Sequence, residues 1–153
     1  MSTKQHEDVA EQLKSILSAM QVLKPKTLGS VTGGSYRNMM CVPPPLQPKQ
    51  AFSTMAEFHE LLACIPLNCG FRFAHGDLLP KNIMVDGSKI TGIIDWQNAG
   101  FWPDFWEYCR MHDSNFETRG WSKVLKIVFP GEGRPKEVQA IHRMLINCSW
   151  FLS

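Results

Sequence analysis

No charge of one sign dominates this sequence of 153 residues: 16 Lys and Arg against 14 Asp and Glu leave a net charge of +2. The basic residues are scattered rather than clustered, so there is no electrostatic footprint for nucleic acid or for an anionic membrane surface. Long apolar runs are also missing. The stretch from Met144 to Leu152 is interrupted by Asn147 and Ser149, and falls well short of the ~20 residues a membrane-spanning helix needs. A soluble protein with no membrane partner is expected. The cysteines Cys41, Cys64, Cys69, Cys109 and Cys148 are odd in number and irregularly spaced, which is not the pattern of a disulfide framework. No C-x2-C pair frames His59, Cys64, Cys69, Cys109 and His112 as zinc ligands, and free thiols in a reduced compartment are the ordinary reading. With no signal peptide in front of them, the expectation is a cytoplasmic protein. Internal repeats and low-complexity tracts are absent.

What is present fits one globular domain over residues 1–153, with 44% hydrophobic and 20% charged residues, enough to build a core. Val9, Leu13, Ile16, Leu17 and Met20 recur at three- and four-residue steps and predict an amphipathic helix over about 7–23, stopped by Pro25. Glycines and the run Pro43-Pro44-Pro45 make residues 29–50 a long loop. Ser53 or Thr54 caps a second expected helix through Met55, Phe58, Leu61 and Leu62. Next, Ile83-Met84-Val85 and Ile90 to Ile94 flank Asp86-Gly87-Ser88-Lys89, the signature of a β-hairpin. An aromatic cluster from Phe101 to Tyr108, read as core more readily than as a substrate platform, leads into a helical remainder over about 104–153. That remainder contains helices near 121–129 and 136–151, separated by a Pro- and Gly-rich loop.

Chemistry concentrates in His75-Gly76-Asp77-Leu78-Leu79-Pro80-Lys81-Asn82, the hairpin, and Ile94-Asp95-Trp96. A hairpin turning at Gly87-Ser88 returns Asp95 to the side of Asn82, while Asp77 feeds the same end from a loop. Two carboxylates and a carboxamide therefore offer oxygen to one small region, a donor set that suits Mg²⁺ completed by waters and phosphates. The order His-x-Asp-x4-Asn, two strands, then Asp follows the logic of a kinase catalytic loop and its metal-binding Asp. Gly29 to Ser35 has glycine spacing like a phosphate-binding loop, but Ser35 stands where the lysine belongs, and backbone freedom is the better reading.

These strings, with Thr91-Gly-Ile-Ile-Asp-Trp-Gln-Asn-Ala-Gly100 and Trp102-Pro-Asp-Phe-Trp-Glu-Tyr108, resemble the aminoglycoside phosphotransferase and choline kinase-like family, its fungal members in particular. The resemblance implies an α+β fold: the mostly helical large lobe of a protein-kinase-like protein carrying a short catalytic hairpin over about 73–96. It implies transfer of the ATP γ-phosphate to a small-molecule hydroxyl, with Asp77 as the catalytic residue and Asn82 and Asp95 as the Mg²⁺ and nucleotide ligands. His75 would brace the loop, and Trp96 adjoins the metal ligand. Two departures are Leu79, where the family often has His, and Gln97, where it often has Glu. No room precedes the first helix for the family's small lobe with its Gly-rich loop and Lys–Glu pair. The expectation is thus a large lobe alone, incomplete for transfer, that self-associates or takes a partner lobe at its exposed interface. The alternative expectation is a non-catalytic remnant or a repurposed small-molecule-binding or accessory protein of the same fold.

Overall fold

The computed structural model describes residues 1–23, 29–30 and 69–149. Helix α1 spans Thr3–Met20 and begins with a capping box: the Ser2 hydroxyl accepts from the Gln5 backbone N–H at 3.2 Å, and Gln5 Oε1 accepts from the Ser2 N–H at 2.7 Å. Two otherwise orphaned donors are thereby satisfied, which is why the helix starts four residues before the expected Glu7. It also ends earlier than expected, at Met20 rather than Leu23. Its buried face, Val9, Ala10, Leu13 and Leu17, packs against Trp121, Val124, Leu125 and Val128 of a later helix, as the apolar spacing requires.

Among the described residues five short strands follow in chain order: β1 (Gly29–Ser30), β2 (Phe71–Ala74), β3 (Ile83–Asp86), β4 (Lys89–Ile93) and β5 (Gly100–Pro103). The expected hairpin is β3–β4, antiparallel, with Ile83 opposite Ile93, Asp86 opposite Lys89, and a bulge between Met84 and Val85. A second sheet, in the order β1-β5-β2, departs from the sequence reading. Gly29–Ser30, expected in a loop, pairs with Gly100 and Phe101, and Phe71–Ala74 pairs antiparallel with all of β5. The partners are distant in sequence and β5 is Gly-Phe-Trp-Pro, so neither alternation nor β-branching announces a strand there.

Helix α2 covers Trp106–Met111, α3 Arg119–Val128 and α4 Pro135–Ser149. Thr118 caps α3, its hydroxyl accepting from Trp121 N–H at 3.1 Å, so α3 starts before the expected residue 121. Pro135 opens α4, a position where its missing N–H has no helical partner to lose. The aromatic cluster is largely core: Trp102, Phe105 and Trp106 are buried, and Trp102 stacks on Trp106 with ring centroids 4.0 Å apart. The expected helix near residues 55–62, the glycine loop beyond Ser30 and residues 150–153 lie outside the described residues. No helix among the described residues is long and apolar enough to cross a membrane.

Candidate active site

The site is built where β2 ends and the chain must turn sharply into the hairpin. Gly76 makes that turn at φ +84°, and a Cβ there would lie 2.3 Å from the Asn98 carbonyl oxygen, so only glycine fits. Leu78 and Leu79 are fully buried and pin the loop into the core. His75 is a strut. Its Nδ1 lies 3.3 Å from the Asp77 backbone N–H, which donates to it, and so carries no proton. The proton sits on Nε2, which donates to the Ile94 carbonyl at 2.9 Å. Burial lowers the imidazole pKa, against the pull of that carbonyl and of Asp77 and Asp95, and the ring stays neutral.

Asp77 is only 1% exposed. Its Oδ1 accepts from Arg110 Nη2 at 2.5 Å, and its Oδ2 lies 3.2 Å from Lys81 Nζ. Burial pushes the Asp77 carboxyl up, but the hydrogen bond and charge of Arg110, followed by those of Lys81, outweigh it, and the net shift is downward. Asn82 Nδ2 donates to the Asp77 carbonyl at 2.8 Å and to Oδ2 at 3.2 Å. Two acceptors on one end of the carboxamide fix which end is nitrogen, so the Asn82 amide oxygen is turned away from Asp77. The hairpin register then sets Asp95: Ile94 N–H donates to the Asn82 carbonyl at 3.0 Å, and Asp95 follows directly. Asp95 is exposed, adopts the left-handed conformation at φ 64° and ψ 56°, and makes no side-chain cap hydrogen bond. A non-glycine residue in that region stores about 1–3 kcal/mol, a kind of strain that collects at ligand-binding turns.

The structure therefore joins Asp77 to Asn82 directly and carries Asp95 to the residue beyond a backbone contact with Asn82. Both Asp77 oxygens are engaged, Oδ1 by Arg110 and Oδ2 by Lys81 and the Asn82 amide. Among the described residues no group of three or more His, Cys, Asp or Glu is arranged to hold a metal. The donors left for a hard cation are the Asn82 amide oxygen and the exposed Asp95 carboxylate, and two protein oxygens completed by water and phosphate suit Mg²⁺. Trp96 is 43% exposed and leans over His75, ring centroids 4.6 Å apart. Its Nε1 donates to the Ile93 carbonyl at 2.8 Å, tying the ring to the end of β4.

Three residues escaped the sequence reading. Glu107 and Arg110, on successive turns of α2, are 9% and 4% exposed. Glu107 accepts from the backbone N–H groups of His75, Gly76 (3.4 Å) and Leu78 (3.4 Å), holding the loop through its main chain. Burial raises its carboxyl to about 7 against those three donors and the nearby Arg110 charge. Arg110 joins Asp77 to Asp113, whose Oδ2 is 3.1 Å from Nη1. The third is Lys81. The available signal was a Glu and an Arg three residues apart inside an otherwise apolar, aromatic stretch, where an unpaired charge is not tolerated. A cavity of about 250 Å³ opens between α2 and α3, walled by Tyr108, His112, Asp113, Trp121 and Phe129; neither Asp77, Asn82 nor Asp95 lines it.

One loop thus holds a buried Asp77 bonded to Asn82, and the hairpin brings the exposed Asp95 to the residue after the Ile94–Asn82 backbone contact. The chain belongs to the phosphotransferase enzyme family, whose profile matches residues 6–134. That membership implies a protein-kinase-like fold, and the helices and small antiparallel sheets are consistent with its α+β class. No curated protein and no solved structure matched the chain.

Proposed function

We propose that this protein takes part in Mg²⁺-dependent transfer of the ATP γ-phosphate to a hydroxyl of a small molecule. The observation that carries the reading is the join of Asp77 to Asn82 at one end of the hairpin, with the exposed Asp95 following the backbone contact of Ile94 to Asn82. Asp77 is the residue to orient the attacking hydroxyl. Its proton passes to Asp77 as the new O–P bond forms and the bond from the γ-phosphorus to the ADP oxygen breaks. A carboxylate held below the ordinary carboxylate range is a weak base, which suits a loose transition state in which that proton moves late. Asn82 and Asp95 would hold Mg²⁺, which when bound neutralises charge on the phosphates. His75 and Glu107 keep the loop rigid, since transfer depends on positioning more than on covalent chemistry.

An interface near the hairpin with a partner lobe or a second copy is supported by the exposed apolar side chains Met84, Ile94 and Trp96. A second reading, a binding or accessory protein that transfers nothing, is favoured by one feature: both Asp77 oxygens are occupied. Calorimetry with Mg²⁺ and ADP separates the metal assignment from fold alone. Asp95→Ala is expected to weaken binding by about tenfold or more, as loss of a charged metal ligand should. Unchanged affinity in the variant would remove Asp95 from the site.

A further inference from the structure

Two cations touch Asp77, and they differ in what else they can do. Arg110 is 4% exposed and is shared between Asp77 and Asp113, so its guanidinium has its partners and no route to a ligand. Lys81 has one carboxylate contact, at 3.2 Å, and its side chain is 50% exposed. Its ammonium also lies 5.5 Å from the centre of the Phe116 ring, a weak second tether. The residue sits in the short 3-10 helix Pro80–Asn82, directly before Asn82 in the chain. Its four-carbon stem lets the charge relocate while the backbone stays fixed.

We infer that Lys81 is a mobile charge that leaves Asp77 Oδ2 for the terminal phosphate of a bound nucleoside triphosphate, and so uncovers the carboxylate oxygen that receives the substrate hydroxyl. The inference rests on the phosphotransferase reading above. It accounts for the feature that most opposes that reading: Oδ2 is held by both Lys81 and the Asn82 amide, and departure of Lys81 frees one of its two contacts while Asn82 stays and Arg110 on Oδ1 keeps the carboxylate aimed. The exchange is electrostatically favourable, because a half-exposed lysine gives up a screened contact with one carboxylate for a more highly charged phosphate group. A diphosphate, ending one phosphate short, does not draw Lys81 away. Lys81 thereby links exposure of Asp77 to the presence of a transferable phosphate.

The test is calorimetric titration of wild type, Lys81→Met and Lys81→Arg with two probes in Mg²⁺: ADP, and a non-transferable ATP analogue with a methylene bridge between the β- and γ-phosphates. Lys81→Met is expected to weaken the triphosphate analogue about tenfold and to leave ADP within about twofold, the size of one charge-assisted contact. Lys81→Arg is expected to recover most of the loss. An equal loss for both probes, or no loss for either, overturns the role given to Lys81 while leaving the wild-type nucleotide site intact. If wild type binds neither probe, the phosphotransferase reading fails and this inference falls with it. Because the Lys81 head is half exposed, unfolding of the Met variant is not expected; Lys81→Gln, closer in polarity, must show the same loss for the triphosphate alone.

Discussion

Arg110→Met is expected to destabilise the fold by about 3–5 kcal/mol, the range for removing one member of a buried ion pair. The size follows from what is left behind. Asp77 and Asp113 both direct carboxylate oxygens at the guanidinium, at 2.5 and 3.1 Å, and the Asp77 side chain is 2% exposed and cannot regain water without opening the loop. Methionine fills much of the volume but leaves one buried carboxylate with only the half-exposed Lys81 as a cation. For a chain of this length such a loss lowers the melting temperature by roughly 10 °C. Denaturant unfolding of wild type, Arg110→Met, Asp77→Asn and the double variant checks it. The double variant should be more stable than Arg110→Met, because the stranded charge has gone. If Arg110→Met lies within about 1 kcal/mol of wild type, the Asp77–Arg110–Asp113 chain is not what holds the loop.

Glu107→Gln is expected to change how stability depends on pH. Burial is the main cause of the rise in the Glu107 carboxyl from its ordinary 4.5 to about 7 in the folded protein. A group whose folded pKa is raised binds a proton more tightly when folded. Its contribution is fully present below about pH 4.5 and is lost as pH rises through about 7. The span corresponds to an effect on the order of 3 kcal/mol. His75 works in the opposite sense: its pKa is lowered mainly by burial, so its contribution grows as pH rises toward its ordinary 6.5. The wild-type curve alone therefore mixes the two, and the difference between wild type and Glu107→Gln isolates Glu107. Glutamine also sets an NH₂ group against backbone donors, so the variant is less stable throughout. The gap should be widest near pH 5 and narrow by about 2 kcal/mol toward pH 8. A gap that stays constant or widens with pH would show that Glu107 is ionised across the range.

The parts of the fold legible in the sequence are those whose signal is local. Asp86-Gly87-Ser88-Lys89 between β-branched runs marked the hairpin and its turn, whereas the bulge between Met84 and Val85 that shifts the register toward Asn82 and Asp95 left no local signal. The apolar period of α1 was readable, but its start was not, because Ser2 and Gln5 lie ahead of the periodic residues. The β1-β5-β2 sheet was not readable, since Gly29–Ser30 and Gly100-Phe101 meet across a long separation and carry no strand-like pattern. In the candidate site, Asp77, Asn82 and Asp95 stood out by spacing. The state of Asp77 did not, because it depends on Arg110 and Glu107, which α2 delivers by tertiary packing. Nor does sequence announce the left-handed backbone of Asp95, a residue type that adopts it only occasionally.

The most direct test of phosphoryl transfer is Mg²⁺-dependent ATP consumption and acceptor phosphorylation, measured over a panel of small hydroxyl compounds with wild type, Asp77→Asn and Asp95→Ala. Asp77→Asn keeps the shape and a hydrogen-bonding side chain but cannot take the proton, and a loss of about 100-fold or more is expected, in line with removal of a positioned base. Asp95→Ala should lose activity together with nucleotide affinity. Wild-type transfer that disappears in both variants is the expected result. Transfer that proceeds equally in all three proteins, or an absence of transfer with tight acceptor binding retained by all three, would contradict the roles given to Asp77 and Asp95.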